Sequence, residues 1–417
     1  MEKKIRAVTG TQDLIGEDLQ KRLKISDVFS KTMKKFNVEP VETPILELLE
    51  VFEKNLGETS DIVQKEMFTL ESSGETLVLR PEGTAGLLRA VIDRGWEQKL
   101  PLKVSYDGPM FRKETPQKGR FRQFDQVGLE LLGYKAQTGD TLSIMAAYAF
   151  LSNLKVKNLK LEINYLGSDE ERANYKTALM DYLTKEQSKL SKESKERLQK
   201  NPLRILDSKQ KEDQDVVKNA PTLKSFLGQE SLDTVNLLIE SLNKMNIPFE
   251  YNPKLVRGLD YYTGLVFEFV SEEIGAQSTV LAGGRYDKLS TQMGGSSIPA
   301  IGWAAGKERL SYLVELDKVE QNLVGIVTTE DSCIPYAYEM AKTVTEKTKY
   351  SVEIPSNDSI AKKMKKLNKM NAQYVIVVGP DEVKNNVYSL KNMETGEQEV
   401  LDKNVLLMKI LVSSLRS

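Results

Sequence analysis

Helix-spaced and alternating apolar positions divide the first third of the chain into helices and short strands. The spacing over residues 17–36 predicts an amphipathic helix, with Leu19, Leu23, Val28, Phe29 and Phe36 on its apolar face. Strands are predicted over residues 76–80, 102–111 and 123–132. Residues 81–84 (PEGT) predict a turn into a helix, with Thr84 as its N-cap.

The pattern changes twice further along. Residues 168–245 are charge-rich and helical, whereas strand patterns resume at 249–252, 264–270 and 279–282, followed by a predicted Gly283-Gly284 turn. From residue 321, strands at 324–328, 350–354 and 374–378 alternate with helices at 336–349 and 359–370. We therefore expect a strand-rich domain with a helical insertion, then a small α/β domain.

The richest chemistry lies in residues 106–133, which predict a long hairpin around a loop at 113–120. The two-residue period of a strand places Asp125, Val127, Leu129 and Leu131 on the face that packs on a core. The opposite face would carry Arg122, Phe124, Gln126, Gly128 and Glu130. By itself such a strip is either a solvated sheet face or a ligand site.

Two more segments carry cations beside strands. Arg257 precedes Tyr261 and Tyr262, which is also the pattern of a buried tyrosine pair with a structural Arg–Asp bridge. Arg309 follows the small residues of 299–306 in the first turn of a predicted helix, although Glu308-Arg309 alone would be an ordinary surface pair.

Composition restricts the chemistry. The 417 residues are 40% hydrophobic and 29% charged, which indicates a soluble protein of two or three domains, without a signal peptide or membrane helix and expected in the cytoplasm. Cys333 is the single cysteine, and the net charge of −1 leaves any RNA contact to local basic patches. The sequence contains no histidine, so any chemistry must rest on carboxylates, guanidinium groups, phenols, backbone and substrate.

Taken in order, the motifs resemble those of histidyl-tRNA synthetases, from residues 9–13 (TGTQD) to the C-terminal domain. Residues 41–44 (VETP), 111–114 (FRKE) and 302–309 (GWAAGKER) are similar to the three class II synthetase motifs. Residues 255–262 (LVRGLDYY) and 282–287 (AGGRYD) resemble the two signatures peculiar to this family. Residues 79–85 (LRPEGTA) and 115–124 also match.

The resemblance implies a fold and a set of domains. It implies an α+β catalytic domain on an antiparallel sheet (residues 1–167 and 246–318), a helical insertion (168–245) and an α/β anticodon-binding domain (321–417). It also implies a homodimer, with the insertion over the acceptor stem of histidine tRNA. The helix with Lys362, Lys363, Lys365, Lys366 and Lys369 is either an RNA contact or a solvated face.

The resemblance further implies an ATP-dependent ligase that forms histidyl-adenylate and transfers histidine to the 3′-hydroxyl of its tRNA. Arg257 and Arg112 would be catalytic, on the α-phosphate of ATP. The residues expected at L-histidine are Glu82, Thr84, Gln126, Glu130, Arg257, Tyr261 and Tyr262. The residues expected at ATP are Arg112, Glu114, Arg120, Phe124 and Arg309, with Mg²⁺ on the pyrophosphate and no assigned metal ligands.

Departures from the family pattern concern the hairpin. Thr115 stands where the family often has an arginine tied to the extra 5′ guanosine of histidine tRNA, which puts that recognition in question. Lys113 and Asp125 replace common histidines, so we hypothesise avoidance of histidine, by design or by selection. Any rate transition near pH 6–7 should then follow the imidazole of the substrate.

Two other functions fit a synthetase-like chain. One is the histidine-binding regulatory partner of ATP phosphoribosyltransferase, and the other is an inactive sensor domain. Arg257, residues 283–287 (GGRYD) and the C-terminal domain argue against the regulatory partner, and the presence of Arg112, Arg257 and Arg309 argues against the inactive domain.

Overall fold

The structure is a computed structural model that describes residues 4–53, 66–200, 202–206, 208, 210–256, 261–274, 279–317, 322–356 and 359–416. The chain divides into two compact units, Met1–Leu316 and Asp317–Ser417. No helix in the described ranges is both long and apolar enough to cross a membrane.

The helices of the first unit frame its sheet and form the insertion. They are α1 Glu17–Lys35, α2 Glu50–Glu53, α3 Thr84–Asp93, α4 Ala136–Asn153, α5 Asp169–Lys185, α6 Lys192–Lys200, α7 Lys211–Val217, α8 Gln229–Lys244, α9 Leu289–Gln292 and α10 Lys307–Ser311.

The strands of the first unit build two sheets. They are β1 Glu39–Pro40, β2 Leu46–Leu48, β3 Phe68–Ser72, β4 Glu75–Leu79, β5 Leu102–Phe111, β6 Gln123–Leu132, β7 Leu159–Tyr165, β8 Phe249–Tyr251, β9 Thr263–Ser271, β10 Thr279–Arg285 and β11 Ala300–Gly306.

The main sheet of the described residues has the order β1-β5-β6-β11-β10-β9-β7-β8. Its central strands, from β5 to β7, pair antiparallel, and the short β1 and β8 add parallel edges. The predicted hairpin is confirmed, because β5 pairs with β6 along its whole length. A smaller sheet, β2-β4-β3, stands apart. The predicted fold class, an α+β domain on an antiparallel sheet, is confirmed.

One face of the main sheet is closed by helices. Val127, Leu129 and Leu131 lie in its core, as the alternation predicted. Phe29 of α1 and Phe150 of α4 pack against Trp303, with ring centroids 6.0 and 5.9 Å away. These contacts make the sheet a rigid support for whatever its other face binds.

Helix α1 departs from its prediction. Phe29 is buried with Ile25 and Met33, but Leu19 and Leu23 are 38% and 53% exposed. The helical period was right, yet the core takes only the C-terminal part of the apolar face.

The second unit alternates strands and helices in its first half, as predicted, and then ends in a meander. Its helices are α11 Ile334–Lys347, α12 Ile360–Lys369, α13 Pro380–Asn385 and α14 Lys403–Arg416. Its strands are β12 Leu323–Thr328, β13 Ser351–Glu353, β14 Tyr374–Val378, β15 Val387–Asn392 and β16 Gln398–Asp402. Strands β12, β13 and β14 are parallel, whereas β15 and β16 add antiparallel.

Candidate active site

The open face of the main sheet is a platform built from the alternate residues of three strands. On β6 it carries Gln126, Gly128 and Glu130, which pair in register with Gly306, Ala304 and Gly302 of β11. Gly284 of β10 continues the row opposite Gly302. Small residues in the centre let larger side chains from neighbouring segments lie close to the backbone of the platform.

The glycines of the platform are needed by its polar side chains. A Cβ at Gly302 would overlap the Glu130 carboxylate, and one at Gly128 would overlap the Tyr106 ring. A Cβ at Gly284 would come within 2.7 Å of the Tyr262 ring. The predicted Gly283-Gly284 turn is wrong, because both glycines lie inside β10. A Cβ at Gly283, on the opposite face, would overlap the Gly302 carbonyl oxygen.

At one end of the platform a buried acidic pocket forms. The two oxygens of Glu130 accept hydrogen bonds from the Thr84 hydroxyl at 2.7 Å and the Tyr286 hydroxyl at 2.5 Å. Glu82 accepts from the backbone N–H groups of Thr84 and Ala85, at 2.8 and 2.7 Å. Side chains of Glu82, Thr84 and Glu130, each less than 8% exposed, are thus held by existing bonds.

The same bonds correct the predicted cap of α3. The helix begins at Thr84, and the residue before it is Gly83, which has no side chain to accept a bond. Glu82 performs the capping instead, through its contacts with the first helical N–H groups. The Thr84 hydroxyl is consequently free of a capping role and points to Glu130.

Phenol rings line the pocket. Tyr261 packs on Tyr262 at 4.7 Å and edge-on to Tyr286 at 5.7 Å between centroids. Tyr106, Tyr261 and Tyr286 are buried, and burial raises the pKa of each well above its ordinary value. Their hydroxyls therefore stay protonated at neutral pH and can act as hydrogen-bond donors.

Burial also changes the acids. It raises the pKa of Glu130 to about 8, although the Tyr286 and Thr84 hydrogen bonds oppose the rise and the negative charge of Glu82 adds to it. Burial raises the pKa of Glu82 as well, against its backbone hydrogen bonds and the nearby charge of Arg112. Burial therefore makes both acids easier to protonate than a solvated glutamate.

Gln126 lies between this pocket and the rest of the platform. Its side-chain oxygen is buried and has no hydrogen-bond partner among the described residues. An unpaired buried acceptor is costly, so this atom is placed to receive a donor from a ligand.

The other end of the platform carries the arginines. Arg112 donates from Nε to the Pro81 carbonyl at 2.9 Å, and its guanidinium carbon lies 5.2 Å from the centre of the Phe124 ring. Arg120 reaches Glu114 at 3.2 Å while its side chain remains 41% exposed. These side chains form a partly open, cationic surface with one aromatic face.

Helix α10 aims Arg309 at this surface. Lys307 bonds Asp107 at 2.5 Å, and Glu308 pairs with Arg22 of α1 at 2.8 Å. Arg309 does not join these contacts with β5 and α1. Its side chain donates to the Thr279 carbonyl at 2.8 Å. The alternative of a surface Glu308-Arg309 pair is wrong, because Glu308 is only 4% exposed and burial raises its pKa.

Arg285, the arginine of the 282–287 segment, is buried in an ion pair and does not belong to the cationic surface. Arg285 is 2% exposed and donates to Asp140 of α4 at 2.8 and 2.5 Å. Burial raises the pKa of Asp140 to about 6, with Arg285 opposing. Burial thus brings the pKa of Asp140 toward the pH 6–7 range, and the expectation that a rate transition there follows the substrate imidazole stays a prediction.

The predicted site residues in the described ranges fall into two groups. At the pocket end lie Glu82, Thr84, Gln126, Glu130, Tyr261 and Tyr262. At the arginine end lie Arg112, Glu114, Arg120, Phe124 and Arg309. Arg257 lies outside the described residues, so its predicted place is not described. Sequence reasoning missed Tyr106 and Tyr286 as pocket residues; Tyr286 lies within the AGGRYD segment, which was the available signal. In the described ranges, no three acidic or cysteine side chains lie together as a metal site.

A buried acid–phenol pocket and a cationic aromatic surface on one antiparallel sheet are the arrangement expected for an ATP-dependent ligase of the class II synthetase type. Comparison with known proteins agrees. The histidyl-tRNA synthetase family model matches residues 10–310, and an anticodon-binding domain model matches residues 322–412.

Individual relatives extend the match over nearly the full chain. A histidine–tRNA ligase of Gluconacetobacter diazotrophicus is 41% identical over 95% of this chain and 96% of its own, and one of Gluconobacter oxydans is 42% identical over 94% of each. The apo histidyl-tRNA synthetase of S. aureus superposes with a TM-score of 0.80 at 29% identity, over 98% of this chain and 100% of its own. The chain belongs to the histidyl-tRNA synthetase family.

Proposed function

We propose that the chain activates L-histidine with ATP at the two ends of this platform and then transfers it to tRNA. The observation that carries the proposal is the shared face of β6. Glu130 lies in the buried pocket, and Phe124 lies beside Arg112, six residues away or about 20 Å along a strand. That span accommodates an amino acid joined to a nucleotide.

The α-ammonium of histidine would bind Glu82, Thr84 and Gln126. The unpaired buried oxygen of Gln126 supports this placement, because an ammonium group supplies the missing donor. Thr84 already donates its hydroxyl proton to Glu130, so its oxygen remains able to accept.

The imidazole would bind between Glu130 and Tyr262, with Tyr261 lining the pocket. A pocket that bonds both ring nitrogens rejects apolar amino acids, since these would leave buried polar groups unpaired. Tyr286 holds one Glu130 oxygen and so supports this arrangement. An imidazolium would also favour the ionised form of Glu130, against the effect of burial.

ATP would lie at the arginine end. Phe124 would stack on adenine, Glu114 would accept from its amino group, and Arg112 and Arg257 would hold the α-phosphate. Arg309, with Arg120, would meet the γ-phosphate. As a histidine carboxylate oxygen attacks the α-phosphorus and pyrophosphate leaves, the guanidinium groups offset the developing negative charge.

Mg²⁺ fits this site as an ion held mainly by the pyrophosphate. Such ions take one or two protein carboxylates and the phosphate oxygens. Glu268 of β9 is a suitable carboxylate, since it accepts from Thr279 at 3.0 Å and the Thr279 carbonyl accepts from Arg309. When bound, the ion would neutralise charge on the leaving pyrophosphate.

Transfer needs no protein base. The 3′-hydroxyl of the tRNA attacks the histidyl carbonyl carbon, AMP leaves, and a phosphate oxygen of the adenylate accepts the hydroxyl proton. A chain without histidine can perform both steps.

For the wider organisation we keep the domains predicted from the sequence: a catalytic domain (1–167 and 246–318), an insertion over the acceptor stem (168–245) and an anticodon-binding domain (321–417).

The lysines of α12 are only partly available for RNA, because Lys363 donates to Thr328 and Lys366 pairs with Glu353. We place the enzyme in the cytoplasm.

A homodimer is proposed as well. Exposed apolar side chains on α1, on the small sheet and just before β2 support it: Leu19, Leu23, Ile45, Leu46, Leu48 and Leu70. Sedimentation at micromolar concentration would show a dimer, and a monomer there would refute this part.

The test of the function is histidine-dependent exchange of pyrophosphate into ATP, with Arg257→Ala as the impaired variant and Arg94→Ala, an exposed arginine, as the control. Robust exchange that Arg257→Ala abolishes supports the proposal. A folded wild-type chain that binds histidine without exchange would indicate a regulatory or inactive relative.

A further inference from the structure

We propose that Arg172, in the first turn of α5, is a positioning residue for the histidine pocket. The proposal rests on the function proposed above. Arg172 donates from Nη1 to the backbone carbonyl of Tyr262 at 2.7 Å. Its Nη2 donates to Asp169, three residues earlier in the same helical turn, at 2.9 Å. The helical insertion thus holds the backbone of a pocket residue directly.

The same helical turn holds the second wall of the pocket. Asp169 forms an ion pair with Lys288, two residues after Tyr286. Inside the pocket, Tyr286 meets Tyr261 edge-on at 5.7 Å. Arg172 therefore contacts the Tyr261–Tyr262 segment and Asp169 contacts the segment that follows Tyr286. These are the two segments whose tyrosine rings meet in the pocket.

The turn itself is firmly fixed. Ser168 and Glu171 form a reciprocal capping box at the start of α5. Glu171 also accepts from the Gly228 N–H at 2.5 Å and the Ser231 hydroxyl at 2.8 Å, at the start of α8. The first and last helices of the insertion consequently meet at this point, and any shift of the insertion reaches Tyr262 through Arg172.

Guanidinium geometry explains why an arginine stands here. Its planar fork can bond the Tyr262 carbonyl and Asp169 together, whereas a lysine ammonium on a flexible stem holds two such acceptors less firmly. Loss of the fork frees the Tyr262 backbone, which lowers histidine affinity without touching the arginine end of the platform.

The test compares Michaelis constants in the exchange assay for Arg172→Ala, Arg172→Lys and the control Lys176→Ala, an exposed residue one turn further along α5. We expect the histidine KM of Arg172→Ala to rise about tenfold, the change that loss of one charged hydrogen bond corresponds to. Arg172→Lys should be intermediate, Lys176→Ala unchanged, and the ATP KM within twofold throughout.

Thermal unfolding of each variant, with and without histidine, separates positioning from folding. A lower Tm with an unchanged histidine KM would overturn the inference and leave the proposed function standing. Equal rises of both Michaelis constants would also overturn it. A folded wild-type chain without exchange would refute the function, and the inference with it.

Discussion

The two ends of the platform differ in how deeply their charged side chains are buried. In the acid–phenol pocket, Glu82 and Glu130 are buried and each carboxylate accepts two hydrogen bonds. At the arginine end, the Arg120 side chain is 41% exposed, and Arg112 and Arg309 donate to backbone carbonyls. The comparison separates a buried pocket, which we propose selects the amino acid, from a more open surface, which we propose supplies charge to the reaction.

The largest effect is expected where charge develops. Arg112→Ala should reduce histidine-dependent exchange roughly 10³-fold, because one electrostatic contact to the α-phosphate is lost in the transition state. Histidine binding, measured by calorimetry, should change less than threefold, and Arg94→Ala should behave as wild type. Equal losses of exchange and histidine affinity would show that the two ends are not separate.

At the pocket, Glu130→Gln should raise the histidine KM roughly 100-fold, because a buried charged acceptor is replaced by a neutral amide. The ATP KM should stay within twofold in the same exchange assay. Glu75→Gln, an exposed carboxylate on β4, is the control. An ATP KM that rose as much as the histidine KM would contradict the assignment.

A smaller change is expected from the residue that holds Glu130. Tyr286→Phe removes the hydroxyl that donates to Glu130 and should raise the histidine KM about tenfold. Tyr338→Phe, at an exposed position, should leave kinetics unchanged. If Tyr286→Phe left the histidine KM unchanged, the pocket would not depend on this bond.

The smallest effect concerns stability and pH. Burial raises the pKa of Glu82, of Asp140 to about 6 and of Glu130 to about 8, so the folded apo protein binds more protons than the unfolded chain. Stability should therefore fall as pH rises from about 5 to 8. Urea unfolding of Glu130→Gln should show a shallower fall, and equal slopes would contradict the raised pKa.

The sequence predicted the strands that carry the site better than it predicted its details. Strands β5 and β6 lie where the alternation put them, because both faces of the hairpin obey one period. Thr84 was expected to cap α3, but Glu82 does so, and Gly283 and Gly284 lie in a strand. The strand position of the glycines depends on pairing with segments distant in sequence, which local propensity does not contain. The cap error is local, because Glu82 bonds the N–H groups two and three residues further on.

In the second unit, the early alternation was read correctly, but β15, β16, α13 and α14 were not predicted. The pocket role of Tyr286 was missed because its partner Glu130 is 156 positions away in the chain. Motif resemblance supplied what periodicity could not, namely which polar residues share a site.

The most direct test of the preformed pocket is calorimetric titration of L-histidine with and without a non-hydrolysable ATP analogue. The account predicts measurable histidine binding without nucleotide, and an affinity that changes less than threefold when the analogue is present. Histidine binding that appears only with the analogue would contradict it, because the pocket would then be assembled by ATP.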